Sequence, residues 1–160
     1  MKFFKNSNRQ KGFTLLEVLL VVAIIAILAG IVIIAINPAK QLGDTRNTQR
    51  SADVTSILNA TWQYMLDTNG NLPPAGSRGG QTIGTTATEI CSQTASSCTS
   101  LVDLATLTTN GKYLAAIPKD PNCNVSCNAN GTGYTIFRDA NNHITVASLN
   151  GENKTITVTR

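Results

Sequence analysis

The chain has 160 residues, a formal net charge of +4 and a hydrophobic fraction of 42%. This length allows one globular domain and excludes a multidomain architecture. The first twelve residues hold four of the 13 basic residues and no acidic residue, so the remainder is formally neutral. The net positive charge therefore comes from one short segment and gives no indication of a nucleic-acid partner.

The segment from Phe13 to Ile36 is almost unbroken in its apolar character. A helix that rises about 1.5 Å per residue over this length crosses a hydrocarbon core of about 30 Å. The run is too long for a cleaved secretory signal, whose apolar region has about 7 to 15 residues. A plain transmembrane anchor is the simplest alternative, but Glu17 lies inside the run, where an acidic residue costs about 2.5 to 3.5 kcal/mol on insertion scales. We therefore expect Glu17 to meet a specific partner.

A resemblance is carried by the string KGFTLLE at positions 11–17, which only apolar side chains follow from Val18 to Leu28. It resembles the class III signal of type IV prepilins and type II secretion pseudopilins. The resemblance implies that prepilin peptidase cuts between Gly12 and Phe13 and methylates the new amine of Phe13. It also implies that this amine neutralises Glu17 of a neighbouring copy during filament assembly.

The basic residues of the leader also predict an orientation. By the positive-inside tendency they keep the N-terminus in the cytoplasm and send the residues after Asn37 across the inner membrane. A helix break is predicted at the same place, because Pro38 cannot donate a hydrogen bond to the carbonyl of Ile34. Type IV pilins often carry helix breakers in this region, and the break at Pro38 resembles them.

Beyond Gly43, apolar residues recur at spacings of three and four, which predicts an amphipathic helix from about Ala39 to Asp67 that stops at Asn69-Gly70. The apolar stripe consists of Val54, Ile57, Leu58, Trp62, Met65 and Leu66, whereas Arg46, Arg50, Asp53 and Asn59 lie off it. Trp62 is interpreted as a core residue under a sheet, in preference to a ligand-stacking partner of Tyr64.

Residues 75–99 are rich in Gly, Ser, Thr and Gln, which predicts a loop with at most short strands. Ser100 and Asp103 form a candidate capping box ahead of a short helix that ends at Asn110-Gly111. The last third alternates with period two and predicts three antiparallel strands. These strands are Tyr134–Arg138, His143–Leu149 and Lys154–Thr159.

The expected fold is therefore α+β, the type IV pilin fold. A long N-terminal helix, apolar in its first half and amphipathic in its second, packs on a small antiparallel sheet of about three strands. The expected segments are the removable leader 1–12, the transmembrane and filament-core helix 13–36, the amphipathic helix and its exit 37–74, and the globular head 75–160 with its disulfide loops.

The four cysteines are Cys91, Cys98, Cys123 and Cys127. An extracytoplasmic location favours disulfides over metal binding. Local pairing of Cys91 with Cys98 and of Cys123 with Cys127 is preferred because each pair closes a short loop, while the crossed pairings stay open. A zinc site would need closer Cys-x-x-Cys units or more histidines than His143.

No catalytic motif is found: the strings G-x-S-x-G, H-E-x-x-H and the phosphate-binding loop are absent from the sequence. His143 is interpreted as a surface residue. Loop oxygens at Asp120, Asp139, Asn141 and Asn142 suggest calcium by resemblance to major pseudopilins, although their spacing does not form an EF-hand. We therefore predict a non-enzymatic protein with no metal site and no cofactor, with calcium left open.

The sequence predicts the major structural subunit of a type IV pilus or pilus-like filament, which moves from the inner membrane to the cell exterior. The implied partners are other copies of the chain, prepilin peptidase, the pilus assembly machinery and the inner membrane, with no specific nucleic acid. Two alternatives stay open. One is a major pseudopilin of type II secretion, and the other is a membrane-tethered binding or adhesin domain that does not polymerise. The choice among adhesion, motility and DNA uptake is not indicated.

Overall fold

A computed structural model describes residues 12–123 and 127–160. The predicted leader lies outside the described residues except for Gly12. The chain divides between Gln41 and Leu42 into two units. The elements in chain order are α1 (Leu15–Ile36), α2 (Pro38–Asp67), β1 (Thr88–Cys91), a 3-10 helix (Ala105–Gly111), β2 (Gly131–Arg138), β3 (Ile144–Ser148) and β4 (Thr157–Thr159).

The first unit contains α1, whose 22 residues are apolar except for Glu17. It is the helix among residues 12–123 and 127–160 that is long and apolar enough to cross a membrane. None of its residues is buried. An apolar helix without a polar face requires lipid or another apolar surface around it.

The helix break predicted at Pro38 is confirmed. Helix α1 ends at Ile36, Asn37 takes a left-handed conformation with φ 45°, and Pro38 begins α2. Proline suits the first position of a helix because its missing N–H would have no intrahelical acceptor there. The Asn37 side chain accepts a hydrogen bond from the backbone N–H of Lys40 at 3.3 Å, so the residue that closes one helix opens the next.

The second unit, Leu42–Arg160, is called the head from here on, and it packs its part of α2 against an antiparallel sheet. The predicted end of α2 is confirmed, because Gly70 adopts φ +87° and its N–H donates to the Met65 carbonyl at 2.7 Å. The core lies between the buried face of α2, the sheet, and the segments that precede β2. Its members are Val54, Ile57, Leu58, Ala60, Ile83, Ile90, Val102, Leu104, Leu107, Ile117, Tyr134, Ile136, Ile144, Val146 and Ile156. Trp62 packs half-buried against this core, and the Arg160 guanidinium lies 5.8 Å from its ring centroid.

The sheet has four strands in the order β1-β2-β3-β4, one more than the sequence predicts. The additional strand, β1, pairs with β2 in the register Thr88 with Ile136. In the central hairpin, Tyr134 lies opposite Ser148 and Arg138 lies opposite Ile144. The predicted turn between these strands is confirmed at residues 139–142, where the Asp139 N–H donates to the His143 carbonyl at 2.9 Å.

The outer edge of β1 is covered by the segment around Val102. The Cys91 N–H donates to the Val102 carbonyl at 2.8 Å, and the Val102 N–H donates to the Glu89 carbonyl at 2.9 Å. The predicted capping box at Ser100 and Asp103 is wrong because Val102 bridges to the sheet, whereas the predicted short helix is present in part and ends at Gly111 as expected. The 3-10 helix begins only at Ala105, and Asp103 accepts a hydrogen bond from the Ala105 N–H at 3.1 Å.

The third predicted strand, Lys154–Thr159, is shortened to Thr157–Thr159. The Ser148 N–H still donates to the Ile156 carbonyl at 2.9 Å, so the pairing of β3 and β4 ends there. Residues 149–155 leave the sheet because Glu152, in their middle, is bonded to α2. We call residues 149–153 the β3–β4 turn.

Candidate functional site

The start of α1 holds the residues that the sequence singles out. Gly12, Phe13 and Thr14 precede the helix, and the Phe13 side chain is 88% exposed. Thr14 and Glu17 form a reciprocal capping box: the Glu17 N–H donates to Thr14 Oγ1 at 3.2 Å, and the Thr14 N–H donates to Glu17 Oε2 at 2.8 Å. The carboxylate thus sits at the positive end of the helix dipole.

These capping partners are hydrogen-bond donors and not cations. The Thr14 hydroxyl also donates to Glu17 Oε2, at 2.9 Å. No salt bridge to Glu17 is found in the part of the chain that the structure describes. The negative charge is oriented within its own chain, but it has no positive partner there.

The four cysteines form two disulfides, Cys91–Cys98 and Cys123–Cys127, with Cα–Cα distances of 5.5 and 5.0 Å. Arg78 supports the first loop, because its Nη1 donates to the carbonyl oxygens of Ser92 and Gln93 at 2.8 and 3.1 Å. Its Nη2 donates to Asp103 Oδ1 at 2.5 Å. Burial alone would raise the pKa of Asp103, but the hydrogen bonds from Arg78 and from the Ala105 N–H lower it overall.

The two carboxylates considered for calcium, those of Asp120 and Asp139, have other partners. The Asp139 carboxylate accepts hydrogen bonds from the backbone N–H groups of Asn141 and His143, both at 2.8 Å, and its second oxygen lies 2.8 Å from His143 Nδ1. The hydrogen bond from the His143 side chain lowers the pKa of Asp139. The Asp120 carboxylate is paired with Arg50. Within the described ranges, no three His, Cys, Asp or Glu side chains group as metal ligands.

A buried ionic cluster in the second unit was missed by the sequence analysis. The side chains of Arg50 and Asp120 are both 0% exposed, and Arg50 Nε and Nη2 donate to the two Asp120 oxygens at 2.7 and 3.1 Å. The bidentate pairing raises the pKa of Arg50. Nearby, the Tyr134 hydroxyl donates to Asp53 Oδ2 at 2.6 Å, and burial with this carboxylate raises the pKa of Tyr134.

The cluster extends to the β3–β4 turn through Glu152. Arg46 Nε and Nη2 donate to its two carboxylate oxygens at 2.5 and 2.7 Å. Asn47 Nδ2 donates to the Glu152 carbonyl at 2.7 Å, and the Glu152 N–H donates to Asn47 Oδ1 at 3.0 Å. The placement of Arg50 and Asp53 off the apolar stripe is wrong, because both are buried. A signal was present in the sequence, since the stripe continued backwards from Val54 in steps of four and three passes through Arg50 and Asn47.

Comparison with known proteins supports the reading of the N-terminal segment. Residues 7–33 match the protein family described as the prokaryotic N-terminal methylation motif. The chain is also similar to the type II secretion system core protein G of Aeromonas hydrophila, with 39% identity over 62 residues. The similar region is 39% of this chain and 42% of that protein, so the chain spans less than half the length of this relative. No solved structure matches the chain.

The motif, the apolar helix and the α+β head agree in pointing to one class of protein. The motif covers Gly12, Phe13 and Glu17, which are the residues that the sequence analysis selects. The order of elements, a long N-terminal helix followed by an amphipathic helix and an antiparallel sheet, is that of the expected fold. The chain carries the prokaryotic N-terminal methylation motif, and the long apolar helix and α+β head that follow are those expected from its resemblance to pilins.

Proposed function

We propose that this chain is the major structural subunit of a type IV pilus-like filament. The observation that carries the proposal is α1. None of its 22 residues is buried, and most of them lie within the methylation motif of residues 7–33. Apolar surface on this scale is stable in lipid and, after assembly, against the same helix of neighbouring copies. The subunit acts by packing and catalyses no reaction.

Processing at Gly12 is the first step of this function. A Cβ added at Gly12 would meet no atom within 4 Å, so the fold of the described chain does not require glycine there. The absence of a side chain at Gly12 and the exposure of Phe13 suit a peptidase that needs an unobstructed approach. Cleavage removes the basic leader and creates the amine of Phe13, which becomes methylated.

Glu17 then selects the position of the neighbouring helix. Its carboxylate is oriented by Thr14 and has no cation in its own described chain. Two opposite charges about 4 Å apart gain about 4 kcal/mol at an effective dielectric near 20, which offsets much of the cost of burying the acid. The Phe13 amine of a second copy supplies that charge, and a retained leader would bring four further cations into the apolar bundle.

In this scheme the protein begins as a single-pass inner-membrane protein with its N-terminus in the cytoplasm. The second unit is exported, where its two disulfides are stable. Prepilin peptidase and the assembly machinery are the partners before assembly, and other copies are the partners afterwards.

Mass spectrometry of surface-sheared protein tests the processing. We expect a chain that begins at N-methyl Phe13. Recovery of sheared filaments that still carry Met1 would overturn the proposal.

A charge variant tests the role of Glu17. We expect Glu17→Gln to reduce sheared filaments at least about tenfold, because one uncompensated pairing costs more than about 1.4 kcal/mol. Asp44→Asn removes an exposed acid from α2 and serves as the control, with filament yield unchanged. Normal filaments from Glu17→Gln would overturn the role of Glu17 in assembly, whereas a wild-type protein that forms no filament at all would favour a tethered binding domain.

A pseudopilin of type II secretion is the second candidate, and the similarity to core protein G favours it. Both candidates share the processing and the packing of α1, so they differ in the length and place of the filament. Imaging of long surface fibres assigns the pilus, whereas short assemblies confined to the periplasm, with loss of protein secretion in a deletion strain, assign the pseudopilin.

A further inference from the structure

The buried face of α2 changes its chemistry along the helix. From Val54 onwards it is mainly apolar and packs into the core. Before Val54 the buried residues are Gly43, Asn47, Arg50 and Asp53. The first turns of α2 in the second unit are therefore held by polar contacts. Arg50 and Asp53 bond to Asp120 and Tyr134, and Asn47 before them bonds to one residue of the β3–β4 turn.

That residue, Glu152, bonds to α2 with every polar atom it has. Its N–H and carbonyl pair with the Asn47 side chain at 3.0 and 2.7 Å, and its carboxylate oxygens accept from Arg46 at 2.5 and 2.7 Å. Oε1 also lies 3.4 Å from Arg50 Nη1. The start of the turn is bonded to the sheet, where the Leu149 N–H donates to the Gly133 carbonyl at 3.0 Å, and the contacts of Glu152 fix the middle of the turn to α2.

Gly43 makes this approach sterically feasible. A Cβ at Gly43 would lie 2.6 Å from Glu152 Oε2 and 3.6 Å from its Cδ. The φ of Gly43 is not positive, so the backbone does not require glycine, and in a helix interior glycine is worse than alanine by about 1 kcal/mol. The absence of a side chain is explained by the carboxylate that lies over it.

We propose that Gly43, Arg46, Asn47 and Glu152 form a clamp that sets where the rigid head begins on α2. The residues before the clamp, 38–42, are exposed. In the clamp, residues 43–47 are fixed to the β3–β4 turn, and unwinding that starts at the Asn37 break stops there. The inference rests on the proposed filament function in one respect: in a filament, tension between α1 and the head passes through this segment.

Hydrogen exchange of the full-length, unassembled protein in detergent micelles tests the clamp. In Glu152→Ala, we expect amides of residues 43–47 to exchange at least about tenfold faster than in the wild type, with β2 unchanged. Asp44→Ala alters an exposed acid in the same turn of α2 and should leave exchange at 43–47 within about twofold of the wild type.

Gly43→Ala gives a second, independent test because helix propensity and the clamp predict opposite results. Alanine should slow exchange at 43–47 if propensity dominates, whereas displacement of the Glu152 carboxylate should speed exchange at both 43–47 and 149–153. Faster exchange in both variants with an unchanged β2 supports the clamp. Slower exchange in Gly43→Ala, or Glu152→Ala equal to Asp44→Ala, overturns it. Neither result depends on filament formation, so a failed clamp and a failed Glu17→Gln experiment remain distinguishable.

Discussion

The two units treat charge in opposite ways. In the first, the one acid of α1 is oriented by Thr14 and no cation accompanies it in the described chain. In the second, Arg50 and Asp120 are both fully buried and bond to each other within the unit. The head therefore pairs this buried arginine and aspartate internally, whereas α1 carries a charge and an apolar surface that only other molecules can satisfy. Stability of the head and assembly through α1 should be separable by mutation.

The largest expected effect comes from removing one partner of the buried pair in the head. Asp120→Asn leaves the Arg50 guanidinium buried without its carboxylate, and breaking such a pair costs about 3 to 5 kcal/mol. Denaturant unfolding of the full-length protein in micelles, followed by circular dichroism, measures this loss. The exposed change Asp44→Asn should stay within about 0.5 kcal/mol of the wild type. Equal stability of the two variants would show that the head does not depend on its internal ion pair.

A matched pair of apolar substitutions sharpens the same comparison. Ile57 is 0% exposed in the core, so Ile57→Ala should destabilise the head by about 2 to 5 kcal/mol. Ile25 in α1 is 58% exposed, so Ile25→Ala should leave unfolding of the head unchanged. The same micelle unfolding assay measures both. A loss of head stability in Ile25→Ala would contradict the separation of the two units.

The smallest expected effect is a pH dependence from the clamp. Hydrogen bonds from Arg46 lower the pKa of Glu152 below its ordinary value of 4.5, and Arg50 adds to this. The contribution is therefore present above about pH 4.5 and is lost as the pH falls through the lower pKa of the folded state. When the pH is lowered from about 6 to about 3, the melting temperature of Glu152→Gln should fall by a few degrees less than that of the wild type. Identical pH profiles would mean that Glu152 contributes nothing through its charge.

Much of the architecture could be predicted from periodicity. The apolar run of α1, the break at Pro38, the stripe of α2 and the β2–β3 hairpin each follow from local residue patterns. Neither the position nor the pairing of strand β1 could be predicted, because Thr88–Cys91 is four residues long and lies in a Gly/Ser/Thr-rich segment. Its identity as a strand depends on β2, whose first residue, Gly131, lies 40 positions beyond Cys91.

The candidate site divides in the same manner. Gly12, Phe13 and Glu17 form a contiguous motif, so sequence alone selects them. The burial of Arg50 required knowledge of Asp120, which is 70 residues away. The expected start of the short helix after Ser100 was wrong for a related reason: Val102 bonds to β1 and Asp103 to Arg78, and these long-range contacts override local helix signals.

The edges of the sheet also bear on how copies of the head meet. On one side, the Val102 segment occupies the hydrogen-bonding groups of β1, and on the other, β4 is only three residues long. Sheets that offer long free edges invite strand-to-strand aggregation between molecules. Because one edge of its sheet is covered and the other is very short, many identical heads can lie side by side at high density without pairing their strands into one continuous sheet.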